Sequence, residues 1–456
     1  MNKIFKSLSV MTFALAAVSA SAQNTESTYF LDGSLYRHQM NPALACDSTQ
    51  KSYISMSFIG NFNLTTRGSL GVKDVIFNRG GKTVTGLHPL VSADEFLGNV
   101  DDNNKFNQEL KMQVFGFGKR TRHGFNVFEI NIREQINLNL PGTILQLTKE
   151  GLQNKTYDIS DAGAHADAFV ELAFGRAQKI NDKLTVGAKV KLLLGAGNMD
   201  LELNKAYLTA GADGKYTAEV QGELHGNVKG MEFKKKVGSN EFDKADVNDP
   251  SLSGWGLAVD LGATYKLNES WTFSASLLDL GFISWNTDNV AVATGKHTLD
   301  ISDFGYVSSP HGFTNSKGED LDDAFESFKD VYKLNVEGDR GSRTKMLSAT
   351  LNFGAEYTAP FYEKLTFGLL NTTRIHGVYS WTDFRLSANV APVKSFSTGL
   401  NFSAGTFGTG LGLALDYHPK GFGIFLAMDH MLGSMSKEGI PLNSNAEISM
   451  GINFPF

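Results

Sequence analysis

The feature that most constrains this chain is a two-residue alternation of apolar and polar side chains that recurs from residue 52 to the C-terminal phenylalanine. In SYISMSFIGNFNL, Ile54, Met56, Phe58, Phe62 and Leu64 share one face, while Ser55, Ser57, Asn61 and Asn63 share the other. NVFEINIREQINLNL sets Phe128, Ile130, Ile132, Ile136, Leu138 and Leu140 against Asn131, Arg133, Gln135, Asn137 and Asn139. A period of two is the signature of β-strands with two chemically different faces. Candidate strands fall at 52–64, 110–118, 123–140, 164–177, 183–197, 253–266, 270–282, 344–358, 362–373, 377–390, 394–405, 408–418, 421–430 and 445–455, about fourteen in all.

Alternation fits a soluble sandwich, which buries its apolar face, as well as a membrane barrel, which turns that face to lipid. The connections separate the two. Links after even strands are tight, near 120, 180, 268, 360, 392 and 419; links after odd strands include 65–109, 141–163, 198–252, 283–343 and 431–444. Short turns at one end and long loops at the other are what an outer-membrane barrel requires. Tyr265, Trp271, Tyr357, Phe361, Tyr362, Tyr417 and Phe422 flank the tight turns, where a headgroup belt would lie. The expected fold is all-β, a transmembrane antiparallel barrel of about fourteen strands.

The ends of the chain agree. Lys3 and Lys6, the apolar run Leu8 to Val18 and Ala20-Ser21-Ala22 read as a secretory signal peptide over 1–22. With that leader removed the net charge is about −8, which excludes nucleic acid and a polybasic lipid-binding surface as partners. Cys46, alone, reads as a small apolar residue. No later apolar run reaches the length of a membrane helix. The terminal AEISMGINFPF alternates to Phe454 and Phe456, resembling the signal by which barrel-insertion machinery recognises its clients.

Chemistry finds little support. The ten histidines form no HExxH and no His/Cys group, and there is no G-x-S-x-G elbow. Glu319, Asp320, Asp322 and Asp323 lack the ligand spacing of a calcium loop and read as an acidic helix start. The expectation is no enzyme, no cofactor and no metal. Short helices are expected in the outer loops: SADEFLGN, GTILQLTKEGLQN with Gly151 at its stop, and SKGEDLDDAFESFKDVYKL. In the last, Leu321, Phe325 and Phe328 share a face that could form an outer lid. On the inner face, Asn131, Arg133, Gln135, Asn137 and Asn139 make a polar ladder. Asp167, Glu171, Lys189, Lys191, Asp260, Asp383, Arg385, Asp416 and Asp429 join them by parity. A lumen of fourteen strands is too wide for side chains alone to fill, so it holds water, a plug or a ligand.

A leader, then Asn41-Pro42-Ala43, then about fourteen strands ending in phenylalanine, resembles the FadL superfamily of outer-membrane barrels. That superfamily includes long-chain fatty-acid transporters and PorV-type barrels of a secretion system. The segment GWGLAVDLGATYKLNESWTFSASLLDLGFISW (254–285) is similar to a G-x-G-x-D-x-G hairpin of that superfamily and of a related family of unknown function, which matches best over the mature chain. The resemblance implies a hatch within 23–51, with Asn41, Pro42 and Ala43 inside a barrel spanning 52–456. It implies the outer membrane of a Gram-negative cell, with membrane lipid as surroundings. Two functions follow from it: passive uptake of a small hydrophobic or amphipathic compound, or docking of an exported protein on the outer loops.

Overall fold

The computed structural model describes residues 26–46, 51–306, 313–315, 323–324, 330–429 and 445–456. Fourteen strands form one closed antiparallel barrel. They are β1 (Tyr53–Gly68), β2 (Asn103–Arg120), β3 (Gly124–Pro141), β4 (Gly163–Lys179), β5 (Leu184–Ala210), β6 (Gly254–Lys266) and β7 (Trp271–Trp285), then β8 (Ala349–Thr358), β9 (Leu365–Ile375), β10 (Trp381–Val393), β11 (Phe396–Gly405), β12 (Gly408–Tyr417), β13 (Gly423–Asp429) and β14 (Ala446–Pro455). Each pairs with the next, and β14 returns to β1 through Ile54↔Phe454 and Leu64↔Ile448. Closure satisfies every strand edge, which is the condition for strands to cross hydrocarbon. Among the described residues no helix is long and apolar enough to cross a membrane.

The outward face is apolar: Phe174, Val190, Phe353 and Leu400 are more than half exposed. Near the tight turns, Trp271 lies 5.0 Å from Tyr357 and Tyr417 lies 6.1 Å from Phe422, ring to ring. Phe456 stacks on Phe117 beside the closing seam. The barrel is therefore of the transmembrane, outer-membrane type.

Several limits differ from the sequence expectation. β5 runs on to Ala210 rather than ending near 197. Its outer half pairs with Lys215–Gly226 and Thr156–Asp158. Asn289–Asp300 and Asn335–Asp339 extend that sheet. Much of the supposed loop regions 198–252 and 283–343 is thus a sheet standing beyond the mouth. β2 starts at Asn103 rather than 110. β8 starts at Ala349, because Leu347 and Ser348 interrupt the ladder after a short strand, Arg343–Met346, on β7. β10 starts at Trp381, because Gly377, at φ +52°, turns the chain into the 3-10 segment Gly377–Tyr379.

Two of the expected helices are present. Ala93–Leu97 begins where Ser92 Oγ accepts from the Glu95 N–H at 3.2 Å. Gly142–Glu150 stops at Gly151, whose φ of +75° suits a residue without a Cβ. Leu321, Phe325 and Phe328 lie outside the described residues, as does the leader 1–22. Of that third segment, Ala324 is buried against Ala218 and Leu299 of the outer sheet.

Candidate functional site: the occupied lumen

The inward face of the barrel is polar and is not empty. Residues 26–46 lie within it as three 3-10 turns, Glu26–Thr28, Leu35–Gln39 and Pro42–Cys46, most of their side chains buried. Such tight turns pack a short chain into a narrow space without exposing backbone groups.

Asn41 is the hub. It is fully buried, and its Nδ2 donates to Tyr29 Oη (3.1 Å) and to the carbonyls of Ala263 (3.3 Å) and Ala275 (3.2 Å). Its Oδ1 accepts from the Ala43 N–H at 3.0 Å, closing the turn that Pro42 pre-sets. The Met40 carbonyl accepts from Ser276 Oγ (2.7 Å) and Asn352 Nδ2 (3.0 Å). The wall makes room with glycine: a Cβ on Gly187 would lie 2.4 Å from the Pro42 carbonyl carbon and the Ala43 nitrogen. Gly187→Ala therefore collides with backbone, and Asn41→Ala leaves buried groups without partners. Each is expected to weaken seating of the segment by about 2–4 kcal/mol. Hydrogen-exchange mass spectrometry of the 26–46 peptide measures the effect as faster exchange.

Three sets of contacts surround this hub. At the tight-turn end Leu35, Tyr36, Ala45, Tyr53, Phe125, Val127, Ala177 and Phe425 form an apolar seal, with Cys46 packed at its edge. Midway, His38 Nε2 lies 2.8 Å from Tyr53 Oη, and the Lys189 ammonium donates to His38 Nδ1 (3.3 Å) and to Glu129 (2.7 Å). Gln39 Nε2 donates to the same Glu129 at 2.6 Å. Burial pushes the His38 imidazole down to about 3, and the Lys189 charge adds to that shift. Nearer the long loops, Arg67 contacts Glu26 and Glu447, both at 2.9 Å, while Arg385 contacts Glu26 (3.3 Å), Asp383 (3.2 Å) and Asp429. Burial pushes the Glu26 carboxyl up, but the two guanidiniums outweigh it and hold it at about 2.

The polar ladder of β3 faces this interior. Asn131 donates to Glu171 (2.8 Å), and Arg133 bridges Glu171 (2.9 Å) and Asp279 (2.8 Å). Gln135 accepts from Arg374 (3.1 Å), Asn137 from Asn107 (2.9 Å), and Asn139 donates to Asn103 (2.8 Å). The ladder and residues 41–43 are not in one site: the first braces the wall, the second holds the luminal segment. Above the segment lies a cavity of about 60 Å³, lined by Met40, Lys111, Asp279, Arg374 and Trp381 among others. Lys111 makes no hydrogen bond or ion pair among the described residues. Phe169 borders the adjoining space and packs with Leu193, Ile283 and Trp285 in an apolar patch.

Sequence reasoning missed Glu129, Lys111, Asp279, Arg67 and Arg374. Glu129 and Lys111 were legible, each two residues from a named or apparent inward position. Arg67 and Arg374 fell just past strand ends drawn too short. Asp279 broke the rule itself. It sits in a β-bulge opposite Asp260, at φ +59°, and the extra residue turns its carboxylate inward instead of toward lipid.

Comparisons place the chain among known proteins. It is similar to the toluene transporter TodX of P. putida, at 11% identity over 96% of each chain with a TM-score of 0.40. The toluene transporter TbuX of Ralstonia pickettii aligns at 12% identity over 96% of each chain, TM-score 0.41. A FadL homologue of Pseudomonas aeruginosa aligns at 10% identity over 96% of this chain and 99% of that one, TM-score 0.39. No curated protein matches. The profile described as Family of unknown function (DUF5723) matches residues 42–429, from Pro42 beside the hub through the last residue of β13, and the chain belongs to that family.

Proposed function

We propose that the protein is a plugged outer-membrane barrel for passive uptake of a small amphipathic compound. In this reading the leader 1–22 is removed, 23–51 is the plug and 52–456 is the pore. The observation that carries it is the charged cavity over the plug together with the apolar patch whose Phe169 borders the space beside it. Lys111 offers a cation with no contact partner among the described residues, beside Arg374, and Phe169, Leu193, Ile283 and Trp285 offer the apolar neighbour. An ammonium partly removed from water, with no carboxylate in contact among the described residues, favours an anionic group beside it. The compound would bind by its anionic end at Lys111, lie along the apolar patch, and pass when the plug shifts. Toluene, for which the transporters TodX and TbuX are named, carries no such group, and the charged lining here points to a different cargo.

Octanesulfonate, which keeps its charge and crosses lipid poorly, tests this. Vesicles containing the barrel are expected to take it up faster than protein-free vesicles, and Lys111→Gln to slow uptake roughly tenfold, the value of one charge-assisted contact. Equal uptake with and without protein overturns the reading.

The sheet that β5 carries beyond the mouth favours a second reading, a platform on which an exported protein docks. A polypeptide that leaves with the purified barrel, and is lost when residues 211–253 are shortened, would support this role.

A further inference from the structure

We propose that Glu26, Asp429 and Glu447 form a divalent-cation site, calcium by its chemistry, that clips the plug to the barrel wall. The three come from different parts of the chain. Glu26 opens the first plug turn, Asp429 ends β13, and Glu447 lies near the start of β14, directly paired with Asp429 and with Thr65 of β1. One carboxylate oxygen from each lies within 4.8 Å of the others, close enough for a single ion to touch all three.

Charge counting at the site calls for a cation. Among the described residues, the four carboxyl groups of Glu26, Asp383, Asp429 and Glu447 share two guanidiniums, Arg67 and Arg385. Arg67, Arg385, Asp429 and Glu447 are all buried, and an unbalanced buried charge is costly. A divalent ion cancels the excess. The second observation is separate: Glu447 is 1% exposed and its Oε2 pairs with Arg67, yet its Oε1 has no hydrogen-bond partner among the described residues. An oxygen shut away from water with no donor is a ligand position in want of an ion.

The donor set chooses among ions. Every available atom is oxygen, with Ser27 Oγ bonded to Asp429 and Asn401 Nδ2 donating to Ser27 at 2.6 Å. No histidine or cysteine belongs to the group, which disfavours zinc. Carboxylates from separate elements make an irregular cage, which calcium tolerates and magnesium, with its strict octahedron, does not. The clip is independent of the uptake reading, because it concerns how the plug is held and not what passes.

The test uses terbium, a luminescent calcium substitute, on the detergent-purified protein after dialysis against EDTA. Arg67 stacks over Trp381, 4.4 Å from the ring centroid, so an ion beside Arg67 lies near an indole that can sensitise it. Excitation of tryptophan is expected to give terbium emission that calcium displaces and magnesium does not. Trp381→Phe should reduce the emission severalfold while calcium binding, measured by calorimetry, persists. Glu447→Gln should remove both. Calcium is also expected to slow hydrogen exchange of the 26–46 peptide at least tenfold relative to EDTA. The proposal is overturned if wild-type exchange is the same in calcium and in EDTA, or if calcium binds equally well to the folded Glu447→Gln variant.

Discussion

Lys191→Met is expected to be among the most destabilising single substitutions in the barrel wall. Lys191 is 4% exposed and its ammonium contacts Asp279 (2.6 Å), Asp260 (2.8 Å) and Glu171 (3.4 Å). Among the described residues, the ion-pair contacts left to the three carboxylates would be those of Arg133, which reach Glu171 and Asp279 but not Asp260. Removing one partner of a buried ion pair costs about 3–5 kcal/mol, because the charges left behind stay desolvated. The folded barrel should lose its resistance to urea, read as the denaturant concentration at which the heat-modifiable gel band shifts. Asp260 is the carboxylate left without an ion-pair contact among the described residues, since Lys191 is its partner there and it otherwise accepts from the Asp279 N–H at 2.8 Å. Adding Asp260→Asn to Lys191→Met should therefore recover part of the loss, a coupling that independent sites would not show. If the double variant is as unstable as the sum of the single ones, the network does not act as a unit.

That network also shows what the chain discloses before it folds. Closure and strand direction follow from a period of two together with turns that alternate in length, because both are local. The face taken by Asn131, Arg133, Lys189 and Lys191 follows from parity alone. Asp279 does not, since one bulged residue reverses the parity of everything beyond it in β7, and nothing local announces a bulge except a charge on the wrong face. The outer sheet was hidden for another reason. Lys215–Gly226 and Asn289–Asp300 do alternate, burying Ala218, Val220, Leu224, Ala291, Ala293 and Leu299 on one face, but they fall inside spans whose length marks them as loops, so their alternation does not read as strand. The luminal segment was hardest. Its position depends on contacts with β1, β3, β5, β7 and β8 at once, through Tyr53, Glu129, Lys189, Ser276 and Asn352, far apart in sequence. The Asn41-Pro42-Ala43 turn could be recognised from its residues; that Gly187 stands clear for it could not.

Acid is expected to release the plug, and His38 sets the upper part of the pH range. Seated, the imidazole is held at about 3 by burial and by the Lys189 ammonium 3.3 Å away. Released into water, it would titrate near its ordinary value of about 6.5. Between those limits the released state binds one proton that the seated state does not, so the seated state loses stability as pH falls. Seating is undiminished above about 6.5 and weakens about tenfold for each pH unit below it. Glu26 acts in the same direction but lower. Its carboxyl is held at about 2, so its contribution is present above about 4.5 and is lost from there downward. Between pH 6.5 and 4.5 His38 acts without it. Exchange of the 26–46 peptide, corrected for the intrinsic effect of pH, should rise roughly 15-fold from pH 6.5 to pH 5 in the wild type. Gln can accept from Lys189 and donate to Tyr53 but takes no proton, so His38→Gln should flatten the rise in that window and leave the change below 4.5 in place. A slope as steep in His38→Gln as in the wild type would assign the release to another group.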